Sequence, residues 1–88
     1  VAKTANATRV DVLIAGEKYV LKADLPVEYV QSLAKDVDDR IDELLTRNAR
    51  LPLHKAAILT AINLADELAK LQESYDSLVQ LIEKDESA

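Results

Sequence analysis

The 88-residue chain has no cysteine, methionine, tryptophan or phenylalanine, and only one glycine and one histidine. Without cysteine, neither a disulfide nor a thiolate zinc cluster can staple so short a chain. The same absence fits a reducing compartment without requiring one. A single glycine excludes a Gly-rich phosphate loop, and a single histidine leaves no Ser–His–Asp set with a supporting elbow motif. His54 also lacks a cysteine or second histidine to complete a transition-metal site, and is expected on the first turn of a helix. Three tyrosines are the whole aromatic complement, so the core must be aliphatic. No apolar run is long enough to span a bilayer and no basic-then-apolar leader opens the chain. The expectation is a soluble, intracellular, non-enzymatic protein with no cofactor, no metal and no membrane partner.

Charge of one sign is also scarce where it would matter for nucleic acid. Residues 1–55 carry nine Lys/Arg and nine Asp/Glu, whereas residues 56–88 carry two Lys against seven acids, so the whole net charge of −5 lies on the second part. An acidic tail repels phosphates, and the neutral part has no concentrated basic stripe, which disfavours nucleic acid as a partner. The acidic run Asp36–Glu43 superficially suggests calcium. An EF-hand loop needs glycine at its sixth position, however, and Ile41 stands there, so a solvated helix face is the better reading.

Periodic patterns are plentiful. Val10, Val12 and Ile14 alternate, Ala15-Gly16 follows, and Tyr19 and Leu21 alternate again. With Ala15-Gly16 as a two-residue turn, Ile14 faces Glu17, Val12 faces Tyr19 and Val10 faces Leu21, which puts the apolar residues of both strands on one side. A lone hairpin is marginal, so this face must rest on helices or another sheet. Asp24-Leu25-Pro26 opens a first helix, with Asp24 a candidate cap, Pro26 in the first turn and Glu28 suited to the positive end of the dipole. Its apolar stripe is Val27, Val30, Ala34, Val37, Ile41 and Leu44, widened by Leu33 and Leu45. Lys35–Asp39, Asp36–Arg40 and Glu43–Arg47 are spaced for ion pairs on the opposite face. The helix fades near Asn48, and Pro52 marks the break.

A long second helix then runs from Leu53 to about Lys84. It is apolar nearly all round at first and then narrows to Ala61, Leu64, Leu68, Leu71, Tyr75, Leu78 and Ile82, alternating steps of three and four. That is a heptad seam. The hairpin and first helix can cover only its first half, and each large side chain left in water forgoes roughly 1.5–3 kcal/mol. A monomer is therefore not expected. Asn63 interrupts the most apolar stretch and either fixes which helices pair, in what register, or bonds nearby backbone or faces solvent. Asp66, Glu67 and Lys70 form an expected surface ion-pair cluster. The organisation expected is a disordered tail over residues 1–7, a head over 8–65, a coiled-coil extension over 66–84 and a frayed end over 85–88. The fold class is α+β, an N-terminal β-hairpin packed on two helices, obligately oligomeric.

The strands with Val10, Val12, Ile14, Gly16, Tyr19 and Leu21, the helix with Leu33-Ala34 and Val37-Asp38, and the run Ala57 to Leu68 together resemble the ZapA family of bacterial cell-division proteins. The likeness covers about residues 8–83, and its Ala61-x-Asn63-x-Ala65-Asp66-Glu67-Leu68 part is the most specific. It implies a cytoplasmic, non-enzymatic protein at the division site that binds FtsZ, the tubulin-like division GTPase. It also implies dimers joined through head and helix, pairing through coiled coils into tetramers. Heads at both ends of an elongated bundle would crosslink protofilaments. The resemblance does not assign contact residues. Exposure and charge sign nominate Arg9, Lys18, Lys22, Arg40, Arg47, Arg50 and Lys55 toward an acidic partner surface, and the seam residues with Asn63 as the oligomer interface. Competing readings are a ribbon-helix-helix DNA-binding antitoxin, which would want one strand and a basic ribbon, and an acidic helical secretion chaperone.

Overall fold

The computed structural model describes residues 7–86, with side chains through residue 84. The expected tail, apart from Ala7, lies outside the described residues, as do residues 87 and 88 of the expected frayed end, whereas residues 85 and 86 continue α2. The element order is β1 (Thr8–Ile14), β2 (Glu17–Ala23), α1 (Val27–Arg47) and α2 (Leu53–Glu86). This is the α+β arrangement expected, a hairpin followed by two helices, the second long.

The strands pair antiparallel in the expected register, with Ile14 opposite Glu17, Val12 opposite Tyr19 and Val10 opposite Leu21. Both turn residues sit at positive φ, Ala15 at 54° and Gly16 at 80°. A type I′ turn requires this at both central positions, because its twist matches that of the strands. Gly16 adopts the conformation freely, whereas Ala15 carries a Cβ into the left-handed region. The Ala15 N–H donates to Asp38 Oδ1 of α1 at 2.8 Å, in a half-buried position. The turn is thereby tied to the helix beneath it. Asp38, expected on a solvated helix face, is instead an anchor for the hairpin.

Period-two alternation sends Val10, Val12 and Ala23 inward, where they meet Val30 and Ala34 of α1, with Ile14, Leu21 and Leu25 packed against them. Ile41 and Ala56 are buried as well. Helix α1 begins directly after Pro26, whose carbonyl accepts the first bond from Val30 N–H at 3.1 Å. Asp24 does not cap it: Pro26 occupies the cap position, with no side-chain cap bond. The fixed φ of Pro26 starts the helix at the next residue, which leaves Asp24 two positions too early to reach the free amides. Asn48 N–H closes the far end on Leu44 O at 3.1 Å. The three expected ion pairs on the outer face of α1 form, at 2.6 Å for Lys35–Asp39, 3.0 Å for Arg40–Asp36 and 2.6 Å for Arg47–Glu43.

The chain falls into two compact units that part between Ala57 and Ile58. The first holds the hairpin, α1 and the opening of α2, and its core is slight. Val10 and Val30 are its largest fully buried side chains. The second is the remainder of α2. At about 1.5 Å per residue its twenty-nine described residues, 58–86, run roughly 43 Å.

Candidate functional site

The outward face of the hairpin follows from the register. Side chains that alternate with the core residues are Arg9, Asp11 and Leu13 on β1, opposite Lys22, Val20 and Lys18 on β2. Asp11 and Lys18 form an ion pair across the strands at 3.3 Å, both well exposed. Arg9 and Lys22 stand directly opposite each other, and neither has an ion-pair partner among the described residues. Leu13 is 64% exposed and Val20 45% exposed on the same face. Three of the seven nominated cations thus share one surface, mixed with aliphatic side chains that sequence reasoning did not single out. The signal was available, since the register that aligns Val10 with Leu21 also aligns Arg9 with Lys22.

The other nominated cations lie elsewhere in the first unit. Arg40 and Arg47 are engaged by Asp36 and Glu43 on the outer face of α1. Arg50 lies in the connection, where its N–H donates to Asn48 Oδ1 at 3.2 Å. Lys55 is exposed in the first turn of α2, beside His54, also exposed. That turn contains no acid, so the stretch from Arg47 to Lys55 is locally positive.

At the turn end of the hairpin, Ile14, Tyr19, Leu21, Ile41, Leu53 and Ala57 line an apolar groove of about 260 Å³. Hairpin, α1 and the start of α2 meet there. The Tyr19 hydroxyl donates to Glu17 Oε2 at 2.9 Å, and this bond, with the carboxylate charge, pushes the phenol pKa up. Lys35 is pushed up likewise, by its hydrogen bond to Asp39 and the charge of that group.

On the second unit the seam is open. Leu68 is 66% and Leu71 68% exposed, with Tyr75, Leu78 and Ile82 all above half. Ala61 is exposed and Leu64 is half-buried. Ile58, Ile62 and Leu81 widen the apolar surface beside the seam. Asn63 is exposed within the single chain. Lys70 pairs with Asp66 at 3.0 Å on the polar side. Thr60, by contrast, is buried, and its hydroxyl has no hydrogen-bond partner among the described residues.

No His, Cys, Asp or Glu cluster among the described residues is arranged to hold a metal. No helix among them is long and apolar enough to cross a membrane.

Comparison with known proteins adds the following. The family model described as "Cell division protein ZapA" matches residues 10–87. The ZapA of Geobacillus sp. strain WCH70 is 37% identical over 78 residues, covering 89% of this chain and 90% of the relative. That of Bacillus mycoides strain KBAB4 is 33% identical over 73 residues, covering 83% and 82%. Among solved structures, a ZapA mutant dimer from Geobacillus stearothermophilus superposes with a TM-score of 0.72 at 30% identity, over 94% of this chain and 95% of that one.

Proposed function

The chain belongs to the ZapA family of cell-division proteins, non-enzymatic regulators of division, and from that premise we propose that it binds FtsZ filaments in the cytoplasm and crosslinks them. The observation that carries this is the uncovered seam of α2. Five large side chains of the seam, Leu68, Leu71, Tyr75, Leu78 and Ile82, stand more than half exposed. Covering them recovers about 1.5–3 kcal/mol each, so a sum on the order of 10 kcal/mol per copy is the upper bound before the entropy of association is charged against it. That is comparable to the entire stability of a small domain. The seam is therefore an oligomer interface, through Ala61, Leu64, Leu68, Leu71, Tyr75, Leu78 and Ile82, with Asn63 available to set register. Exposed Val27, Leu33, Tyr29 and Leu53 on the first unit supply further apolar surface for a dimer contact there.

Association then makes each assembly multivalent. Every copy brings the same first unit, balanced in overall charge but with exposed cations on the hairpin face and between Arg47 and Lys55, and linking weak sites raises effective concentration at the second filament without new contacts. Residues 8–65 act as the binding head in this reading and residues 66–84 as the coiled coil. The filament contact draws on Arg9, Lys18, Lys22, Arg40, Arg47, Arg50 and Lys55. A DNA-binding ribbon is disfavoured because each copy supplies a complete hairpin whose outer face carries Asp11 in an ion pair. The test is co-sedimentation of the full chain with polymerised FtsZ, followed by electron microscopy of the pellet. The reading expects the chain in the pellet and filaments lying side by side. A chain that stays in the supernatant contradicts it.

A further inference from the structure

We propose that the outward face of the hairpin is the platform that receives an extended acidic segment of the filament partner, one that also carries a large apolar side chain. This assignment rests on the filament-binding reading above and sharpens it to one face.

The face has two ends with different chemistry. At one end Arg9 stands opposite Lys22, and among the described residues no anion pairs with either. Like charges directly opposed across strands are unfavourable, so this pair gains most from a carboxylate laid between them. Toward the turn, Asp11 and Lys18 neutralise each other at 3.3 Å. The complementary diagonal is Leu13 and Val20, aliphatic and exposed at 64% and 45%. Strand spacing of about 3.3 Å per residue places the apolar pair two to four residues from the cationic one. An extended peptide with an acidic residue and, a few positions on, a bulky apolar one matches both ends at once.

Other occupants fit less well. A nucleic acid backbone wants a continuous cationic row, whereas Asp11 interrupts this one, and the chain as a whole carries −5. An anionic membrane is opposed by the same net charge. Two copies of this chain meeting face to face would press one Arg9–Lys22 pair against another if like ends met, and against Leu13 and Lys18 if the ends were reversed, so neither orientation brings that pair an anion.

The experiment uses the full chain and polymerised FtsZ. Arg9→Glu with Lys22→Glu is expected to weaken co-sedimentation by about tenfold or more, and Leu13→Ser with Val20→Ser by about fivefold. Thermal melts accompany both. A photo-crosslinking benzoylphenylalanine at Leu13, in the otherwise parental chain, is expected to capture an acidic stretch of FtsZ, and it answers the question even if a double variant fails to fold. Parental binding with both folded double variants binding as tightly overturns the platform alone. So does a Leu13 crosslink that joins only copies of this chain, or parental chain that captures duplex DNA or phosphatidylglycerol vesicles through this face in place of filament. Parental chain absent from the pellet overturns the filament reading together with it.

Discussion

Asp38 offers the sharpest single-residue test of the fold. Its Oδ1 accepts the Ala15 N–H at 2.8 Å, at a turn whose first central residue holds φ 54°. For a residue with a Cβ, the left-handed region costs roughly 1–2 kcal/mol. A hydrogen bond to a charged group contributes about 1.5–3 kcal/mol, the lower end applying here because the site is only half-buried. Asp38→Ala removes the acceptor and should cost about 1–2 kcal/mol, a lowering of Tm on the order of 5–10 °C for a domain of this size. Asp38→Asn keeps an acceptor oxygen and loses only the charge assistance, so it should sit about midway. Ala15→Gly relieves the turn and should raise stability by roughly 0.5–1 kcal/mol. Because the donor is backbone, the Asp38→Ala loss should persist in the Gly background. Thermal circular dichroism at one fixed protein concentration reads all four, since association makes Tm concentration-dependent. An Asp38→Ala midpoint within a degree or two of the parent, or an Asp38→Asn variant as damaged as Asp38→Ala, would refute the tether.

Other consequences can be measured alongside. Thr60 is buried with an unpartnered hydroxyl, so Thr60→Val, nearly the same shape, should leave stability unchanged or raise it by about 1 kcal/mol, whereas a loss above that in urea titration would mean the hydroxyl has a partner. Leu71→Glu with Leu78→Glu places charges on the open seam and should reduce the particle to dimers or monomers and abolish bundling; an unchanged tetramer by analytical ultracentrifugation would remove the seam argument. The raised Tyr19 phenol favours the protonated folded state, a stabilisation fully present below the ordinary tyrosine value of about 10 and lost as pH rises through the higher folded value. Tyr19→Phe should therefore flatten the alkaline fall in urea midpoint, and a fall identical to the parent's would exclude this bond as a contributor.

The hairpin was legible to the residue because two local signals agreed. Gly16 supplied one positive-φ position, and the alternation on both sides tolerated a single register. The α1 stripe was legible in kind, with Val30, Ala34 and Ile41 buried, yet Leu33 and Val27 remain 42% and 38% exposed. Periodicity marks which side is apolar, and how much of it one chain covers depends on the few elements available. Asp24 looked like a cap because its type is right, but Pro26 decided the start by backbone geometry. Asp38 was hidden for a different reason. Its partner is a backbone amide twenty-three residues earlier, and no side-chain pattern announces a main-chain donor. The outer face of the hairpin was half legible. Charges drew attention to Arg9, Lys18 and Lys22 singly, and their arrangement around Leu13 and Val20 became plain once the strands were laid side by side.

The central claim is that the apolar side chains left bare on α2 oblige copies to associate, and it is met most directly by sedimentation equilibrium of the full parental chain at micromolar concentration. The account predicts a mass of two or four chains, falling toward fewer on dilution. A single species at the mass of one folded chain, unchanged across that range, would contradict it.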